Sequence, residues 1–168
     1  MKTKTIEVYS FGELSQEAKD KARQDYNSHS DYPFLMDDLR EYIHEELTAK
    51  GYTHTDITPY YSLSYCQGDG LMFEATVTDK EGDSYTIKHS GHYHHERSTS
   101  ISGEDKNGNE IHSQDIKEFE ASIYIPICKT VRDRGYSEIE EMDSEEYFEN
   151  TCDANDYTFT LSGKMENL

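Results

Sequence analysis

Residues 57–78 read ITPYYSLSYCQGDGLMFEATVT and contain two β-prone stretches separated by a glycine-rich turn. The flanking stretches, 57–66 and 71–78, are rich in β-branched and aromatic residues, which favour strands. The intervening QGDG at 67–70 has the composition of a tight turn. This stretch therefore predicts a β-hairpin, and the hairpin decides the fold class.

The chain after this hairpin continues as β structure. The sequence Glu81-Gly82-Asp83 is a second turn signal, and residues 84–90 (SYTIKHS) follow it as a third strand. The central prediction is an antiparallel meander over 57–90. The composition of 98–110 predicts a loop, and we expect a mobile loop near 98–112.

Helical spacing is found on both sides of the meander. Ser15 is placed to cap a helix that runs to about Ser28. A second helix begins near Asp31 and Pro33 and ends at Gly51. A third run extends from Ser113 to Arg134, ends at Gly135, and is kinked or split by Pro126. Ser144 caps a last, short helix ending near Ala154.

Short alternating stretches predict further strands at 5–9, 136–142 and 157–161. Together these elements predict an α+β fold with an antiparallel sheet of about five or six strands packed against three or four helices. The length and even composition predict a single domain over 1–168.

The composition restricts the classes of function. The chain has 168 residues, with 35 acids against 16 bases and a net charge of −19. Such a surface repels nucleic acid and anionic membranes and attracts basic partners. The 14 tyrosines argue for a folded chain despite the low mean hydropathy. We therefore expect no direct nucleic-acid binding and no membrane association.

The cysteines and the N-terminus bear on the cellular compartment. Cys66, Cys128 and Cys152 are odd in number and widely spaced, which favours neither a disulfide framework nor a zinc ribbon. The N-terminus has no apolar segment typical of a signal peptide, and no run is long and apolar enough for a membrane span. These features predict a cytosolic protein.

Four segments resemble small proteins that are common in bacteriophage and prophage genomes. They are YSFGELSQEAKDKA (9–22), YSLSYCQGDGLMFE (61–74), GHYHHE (91–96) and ANDYTFTLSGK (154–164). The resemblance implies a phage product that acts in the host bacterial cytoplasm, and it carries no activity to transfer. Small acidic phage proteins include anti-restriction and anti-CRISPR inhibitors, and this association is an analogy only.

Acidic residues form two stripes at helical spacing. Residues 138–156 contain nine acids and no lysine or arginine. One stripe consists of Glu145, Glu149 and Asp153, and the other of Asp37, Glu41 and Glu45. Like charges at i,i+4 destabilise a helix by a few tenths of a kcal/mol. A chain that places them on two helices either uses their negative electrostatic field in binding or simply has a solvated acidic surface. A row of carboxylates is also able to imitate nucleic-acid phosphates.

Histidines are concentrated between residues 89 and 112. If residues 92–96 are extended, then His92, His94 and Glu96 point the same way and form a plausible zinc or iron ligand set. Exposed loop histidines without a metal are the simpler interpretation. No sequence signature of a cysteine or serine nucleophile is present.

Two hypotheses follow. The first is a phage-encoded inhibitor without catalytic activity or cofactor, which binds a basic host protein or nucleoprotein complex through an acidic, DNA-mimicking surface. Its candidate binding residues are the two stripes, with Tyr60 and Tyr61 near the QGDG turn. The second is a metal-binding protein or metal-dependent enzyme that uses His92, His94 and Glu96. The sequence leaves open the host target, the stripe that is used and the oligomeric state.

Overall fold

The computed structural model describes residues 6–28 and 32–166, which form an α+β protein. The helices are α1 (Gln16–Asn27), α2 (Leu35–Ala49), α3 (Ser113–Phe119), α4 (Ile125–Met142) and α5 (Glu145–Ala154). The strands are β1 (Thr53–His54), β2 (Thr58–Ser62), β3 (Gly70–Thr78), β4 (Ser84–His89), β5 (Thr99–Glu104), β6 (Thr158–Phe159) and β7 (Met165–Glu166). A 3₁₀ turn covers Phe11–Glu13 and a π-helical turn covers Glu120–Tyr124.

The predicted meander is confirmed, and β3 is its centre. β3 pairs antiparallel with β2, as in Thr58↔Glu74, and with β4, as in Ala75↔Ile87. The short strand β1 pairs with the other end of β3. β4 in turn pairs with β5, so the described residues contain one antiparallel sheet of five strands. The β2–β3 connection covers residues 63–69 and is longer than the predicted four-residue turn.

Helix α2 supplies the apolar layer that the sequence predicted. Leu35, Leu39, Ile43 and Leu47 are fully buried, and they recur at the spacing of one helix face. The helix ends as predicted at Gly51, whose φ is +85° and whose backbone N–H donates to the carbonyl of Thr48. The sequence places the start of this helix near Asp31 and Pro33. The observed helix begins at Leu35, and Asp31 lies outside the described residues.

The run that begins at Ser113 is split as predicted. Pro126 has no N–H to donate, and the chain accommodates it with the π-helical turn between α3 and α4. The prediction that Gly135 ends this run was wrong, as was the strand predicted at 136–142. Helix α4 continues through Gly135 to Met142. A Cβ at position 135 would collide with the side chains of Leu39 and Leu63, so the residue is small because of what packs against the helix there. Glycine is there a packing residue and not a helix end.

Two further local predictions need correction. Residues 98–110 were predicted as a loop, but Thr99–Glu104 form β5, in which Ile101 pairs with Ile87. The polar composition of this segment concealed a strand at the edge of the sheet. Within the predicted strand 5–9, the described residues form a single bridge between Tyr9 and Phe159, while Thr5 lies outside the described residues.

A second core joins the two ends of the chain. Phe148 on α5 lies edge-on to Phe11 at a ring-centroid distance of 5.0 Å, and Phe159 on β6 completes the cluster. Ala18 and Ala22 on α1 and Cys152 on α5 are buried in the same core. The predicted caps are confirmed at both helices, since Ser15 accepts from the N–H of Ala18 and Ser144 from the N–H of Tyr147.

Contacts between residues divide the chain into two compact units. The terminal unit comprises 1–32 and 138–168, and the central unit comprises 33–137. The terminal unit contains α1, α5 and the two-stranded sheet β6–β7, while the central unit contains the five-stranded sheet with α2 and α3. Whether the chain behaves as one domain, as the sequence predicts, stays a prediction. None of the described helices has the length and apolar character needed to cross a bilayer.

Gly163 should be intolerant of substitution. Its φ is +79°, and a Cβ at this position would collide with the carbonyl oxygen of Ala18. Gly108 has nearly the same φ, +81°, with open space around it, so it is the matched control. We expect Gly163→Ala to lower the free energy of unfolding by about 2 kcal/mol more than Gly108→Ala, measured by urea denaturation. Equal losses would show that the contact with Ala18 is not tight.

Candidate functional site

The stripe on α5 is the more strongly anionic of the two predicted stripes. Glu145, Glu149 and Asp153 lie at successive turns of one helix, beside the buried face made by Phe148 and Cys152. Asp153 is exposed, and the other two side chains are half-buried. One helical turn separates each carboxylate from the next, a rise of about 6 Å per step.

Few cations compensate this stripe. The carboxylates on α5 and just beyond it belong to Glu145, Glu146, Glu149, Asp153 and Asp156. Among the described residues, one of the five forms an ion pair: Glu145 lies 4.0 Å from Nζ of Lys19, and its other oxygen accepts from Gln16. At 4.0 Å this ion pair lies at the limit of the distance range and neutralises little of the stripe. The negative charge of α5 is therefore largely available to a partner.

The stripe on α2 differs in its neighbours. Asp37 accepts a hydrogen bond from Arg40, and Glu45 accepts one from Arg134 at 2.7 Å. The guanidinium carbon of Arg134 also lies 3.4 Å from the ring centroid of Tyr42. Glu41 forms no ion pair with any described residue. Two of the three stripe carboxylates are thus paired with arginine, so the stripe on α2 is less anionic than the stripe on α5.

Tyr60 and Tyr61 are engaged within the central unit. The hydroxyl of Tyr60 donates to Glu74 at 3.2 Å, and its ring stacks on His89 with centroids 5.1 Å apart. Burial raises the pKa of Tyr61, and its carbonyl oxygen lies 3.0 Å from Nδ1 of His94. Neither side chain projects freely. The strongly exposed tyrosines of this unit are Tyr65, which lies beside the predicted QGDG turn, and Tyr93, which was not among the predicted binding residues.

The structure does not bring the predicted metal ligands together. Residues 91–98 form bends and turns instead of a strand, so the alternation that would align His92, His94 and Glu96 is absent. His92 is exposed, while Glu96 is buried and contacts Nδ1 of His95 at 3.2 Å. Across the described residues, no group of three histidine, cysteine or acidic side chains is placed to hold a metal ion.

The three thiols are also poorly suited to nucleophilic catalysis. A hydrogen bond to Asp69 raises the pKa of Cys66, and burial raises the pKa of Cys128. Burial, with the charges of Asp153 and Glu149, raises the pKa of Cys152 to about 12. A reactive cysteine requires the opposite shift, toward the thiolate.

Asp69 organises the loop between β2 and β3. Its carboxylate accepts hydrogen bonds from the backbone N–H groups of Ser64 and Cys66, at 2.8 and 3.2 Å, and from the hydroxyl of Ser62. The hydroxyl of Tyr136 on α4 donates to the same carboxylate. Desolvation alone would raise the pKa of Asp69, but the hydrogen bonds from Tyr136 and Cys66 outweigh it and hold that pKa far below its usual range.

This loop lies against the histidine-rich segment. Gly70 is packed so closely on the backbone of His94 and His95 that a Cβ would come within 2.9 Å of it. Between the two segments is a shallow cleft of about 350 Å³ lined by Gly68, Tyr93, His95 and Ser98. Two of the four segments quoted in the sequence analysis, 61–74 and 91–96, thus meet here. The other two meet in the terminal unit through the Tyr9↔Phe159 bridge.

Asp69→Asn should destabilise the central unit at neutral pH. Because the pKa of Asp69 is lowered by folding, its contribution is fully present above the ordinary aspartate pKa, near 3.9, and is lost as the pH falls through the lowered value. We expect a loss of about 1–2 kcal/mol at pH 7, since the site is partly solvated and the exposed hydrogen bonds are weakened accordingly. Urea denaturation at several pH values measures it.

The control is Asp56→Asn, since Asp56 is exposed and makes no side-chain hydrogen bond to a described residue. This variant should be as stable as the parent at every pH. A destabilisation by Asp69→Asn that is equally large at pH 2 and pH 7 would contradict the assigned role of the Asp69 carboxylate.

The structure thus presents one dense anionic helix in the terminal unit and one aspartate-centred loop in the central unit. The first is complementary in charge to a cationic surface, and the second holds its loop by hydrogen bonds. Comparisons with protein-family models, with curated proteins and with solved structures found no match to this chain.

Proposed function

We propose that this protein is a phage-encoded inhibitor without catalytic activity, which acts in the host bacterial cytoplasm. It is an inhibitor of the anti-CRISPR or anti-restriction type, its target is a nucleic-acid-binding defence system of the host, and its binding surface is the anionic face of α5. The observation that carries the proposal is the density of carboxylates on and beside α5, which form one long ion pair within the described part of the chain.

The physical basis is electrostatic complementarity. A protein that binds nucleic acid presents lysine and arginine to phosphates, and a row of carboxylates meets the same groups. The net charge of −19 steers such a partner toward the surface from a distance. Screening at about 0.1 M salt acts over roughly 10 Å, so the attraction weakens as salt rises. The protein itself is repelled by nucleic acid and competes with it for the partner.

The ion pairs favour the stripe on α5 for this role. Helix α2 carries the same spacing of acids, but Arg40 and Arg134 pair with Asp37 and Glu45. The stripe on α5, with fewer cations beside it, is therefore the better candidate. Within the central unit, Tyr65 and Tyr93 are 62% and 69% exposed, and exposed aromatic side chains often dominate binding energy, so the loop around Asp69 is a separate candidate contact.

Reversing the α5 stripe should abolish partner capture. A bacterial lysate that has been treated with nuclease is passed over the immobilised protein at about 50 and 500 mM salt. Excess duplex DNA is then added to the retained material. We expect a nucleic-acid-binding protein to be retained at low salt and released by high salt or by DNA. Glu145→Lys, Glu149→Lys and Asp153→Lys together should lower its retention at least tenfold.

Two matched variants separate the effect of where the charges lie from the effects of net charge and of a loss of folding. Glu81→Lys, Glu110→Lys and Glu118→Lys together change the net charge equally at exposed sites in the central unit, and this variant should still capture the partner. Glu145→Gln, Glu149→Gln and Asp153→Asn remove the charge with little change in shape and should fail as the reversal does. Capture by the α5 variants at the parental level, with unchanged thermal midpoints, would refute the proposal.

A further inference from the structure

A pair of histidines connects α2 to β1 at a place that the inhibitor proposal does not use. Nδ1 of His44 lies 2.7 Å from Nε2 of His54, and the two ring centroids are 5.0 Å apart. His44 is exposed on α2, and His54 is half-exposed on β1, where it is held in register opposite Val77 of β3. Two ring nitrogens thus converge at the surface of the central unit.

The tautomer of His54 follows from its second contact. Nδ1 of His54 lies 2.6 Å from the carbonyl oxygen of Thr55, which accepts but does not donate. Nδ1 therefore carries a proton, and in the neutral ring Nε2 presents its lone pair to His44. A ring N–H bonded to a backbone carbonyl is the usual arrangement that orients a metal-ligating histidine.

In the metal-free pair, the single proton between the rings belongs to His44. A metal ion that takes the place of this proton requires His44 to change tautomer, so that Nδ1 presents its lone pair and the proton moves to Nε2. Nε2 of His44 has no hydrogen-bond partner among the described residues, so it is open to carry that proton. The exchange releases no net proton from two neutral rings.

The chemistry of the two ligands indicates which metals fit. The 2.7 Å between the two ring nitrogens is the hydrogen-bond distance of the metal-free pair, and it shows that both nitrogens lie within reach of a single ion. Imidazole nitrogen is a good ligand for Ni²⁺, Cu²⁺ and Zn²⁺, and Cu²⁺ and Ni²⁺ lie near the top of the affinity order for nitrogen ligands.

We propose that His44 and His54 form a two-histidine surface site for a divalent late first-row metal ion, Cu²⁺ or Ni²⁺. Water completes the coordination, since the described residues supply no third ligand. Binding requires the exposed ring of His44 to turn so that its lone pair aims at the ion, while the ring of His54 stays fixed by Thr55. Glu41, one turn before His44 on α2, adds negative charge near the site.

The test uses Ni²⁺ as the probe, with protein that has no histidine tag, at pH 7.5 in titration calorimetry. We expect one Ni²⁺ to bind per chain, with Zn²⁺ bound more weakly. His44→Ala and His54→Ala should each lower the affinity at least tenfold. The matched control is His112→Ala, which removes an exposed imidazole outside the pair and should leave the affinity unchanged.

Thermal unfolding supplies a second, independent measurement. Because the ion joins α2 to β1, saturating Ni²⁺ should raise the melting temperature of the parent and of His112→Ala, but not that of His44→Ala. Absence of stoichiometric binding would overturn the proposal. The proposal would also be overturned if His44→Ala and His54→Ala bound Ni²⁺ with full affinity. The same holds if the affinity for Ni²⁺ were lost instead in the double variant His92→Ala with His94→Ala. None of these outcomes bears on the α5 surface, which is tested separately by partner capture.

Discussion

The pairing of β3 on both of its edges is the constraint on which the central unit depends. β3 begins with four consecutive buried residues, Gly70 to Phe73, and then alternates, because strands and helices cover it. Its register fixes His54 opposite Val77, and Tyr60 opposite Met72. The histidine pair and the Tyr60 stack are therefore positioned by backbone pairing to one strand.

The same strand positions the Asp69 loop. The chain enters β3 at Gly70, where the absence of a side chain allows close contact with His94 and His95. Asp69, the preceding residue, is thereby held where it accepts hydrogen bonds from the loop and from Tyr136. Exposed Tyr65, whose ring lies 4.7 Å from that of Tyr136, is thus carried on a hydrogen-bonded loop.

Local signals in the sequence were sufficient to predict much of the fold. Ser15 and Ser144 identified two helix starts, because a serine cap acts on backbone groups two or three residues away. Pro126 identified the break in the long helical run, since a missing N–H has a local effect. The wrong interpretation of Gly135 arose because its reason is distant: Leu39 and Leu63 occupy the space beside it. Strand β5 was missed for a related reason. Its backbone pairing with β4 makes it a strand, and its own polar composition gives no sign of that pairing.

The candidate sites follow the same division between local and distant causes. Both acidic stripes were visible from i,i+4 spacing, which depends on helix geometry alone. Their different electrostatic character was not, because the arginine that neutralises Glu45 lies 89 residues away on α4. Tyr136 as the partner of Asp69, 67 residues distant, was likewise beyond local reasoning. Identical patterns of charge thus acquire different electrostatic surroundings from the residues that tertiary structure places beside them. Like charges at i,i+4 cost a helix a few tenths of a kcal/mol, and under the proposed function a cationic partner would offset that cost on binding.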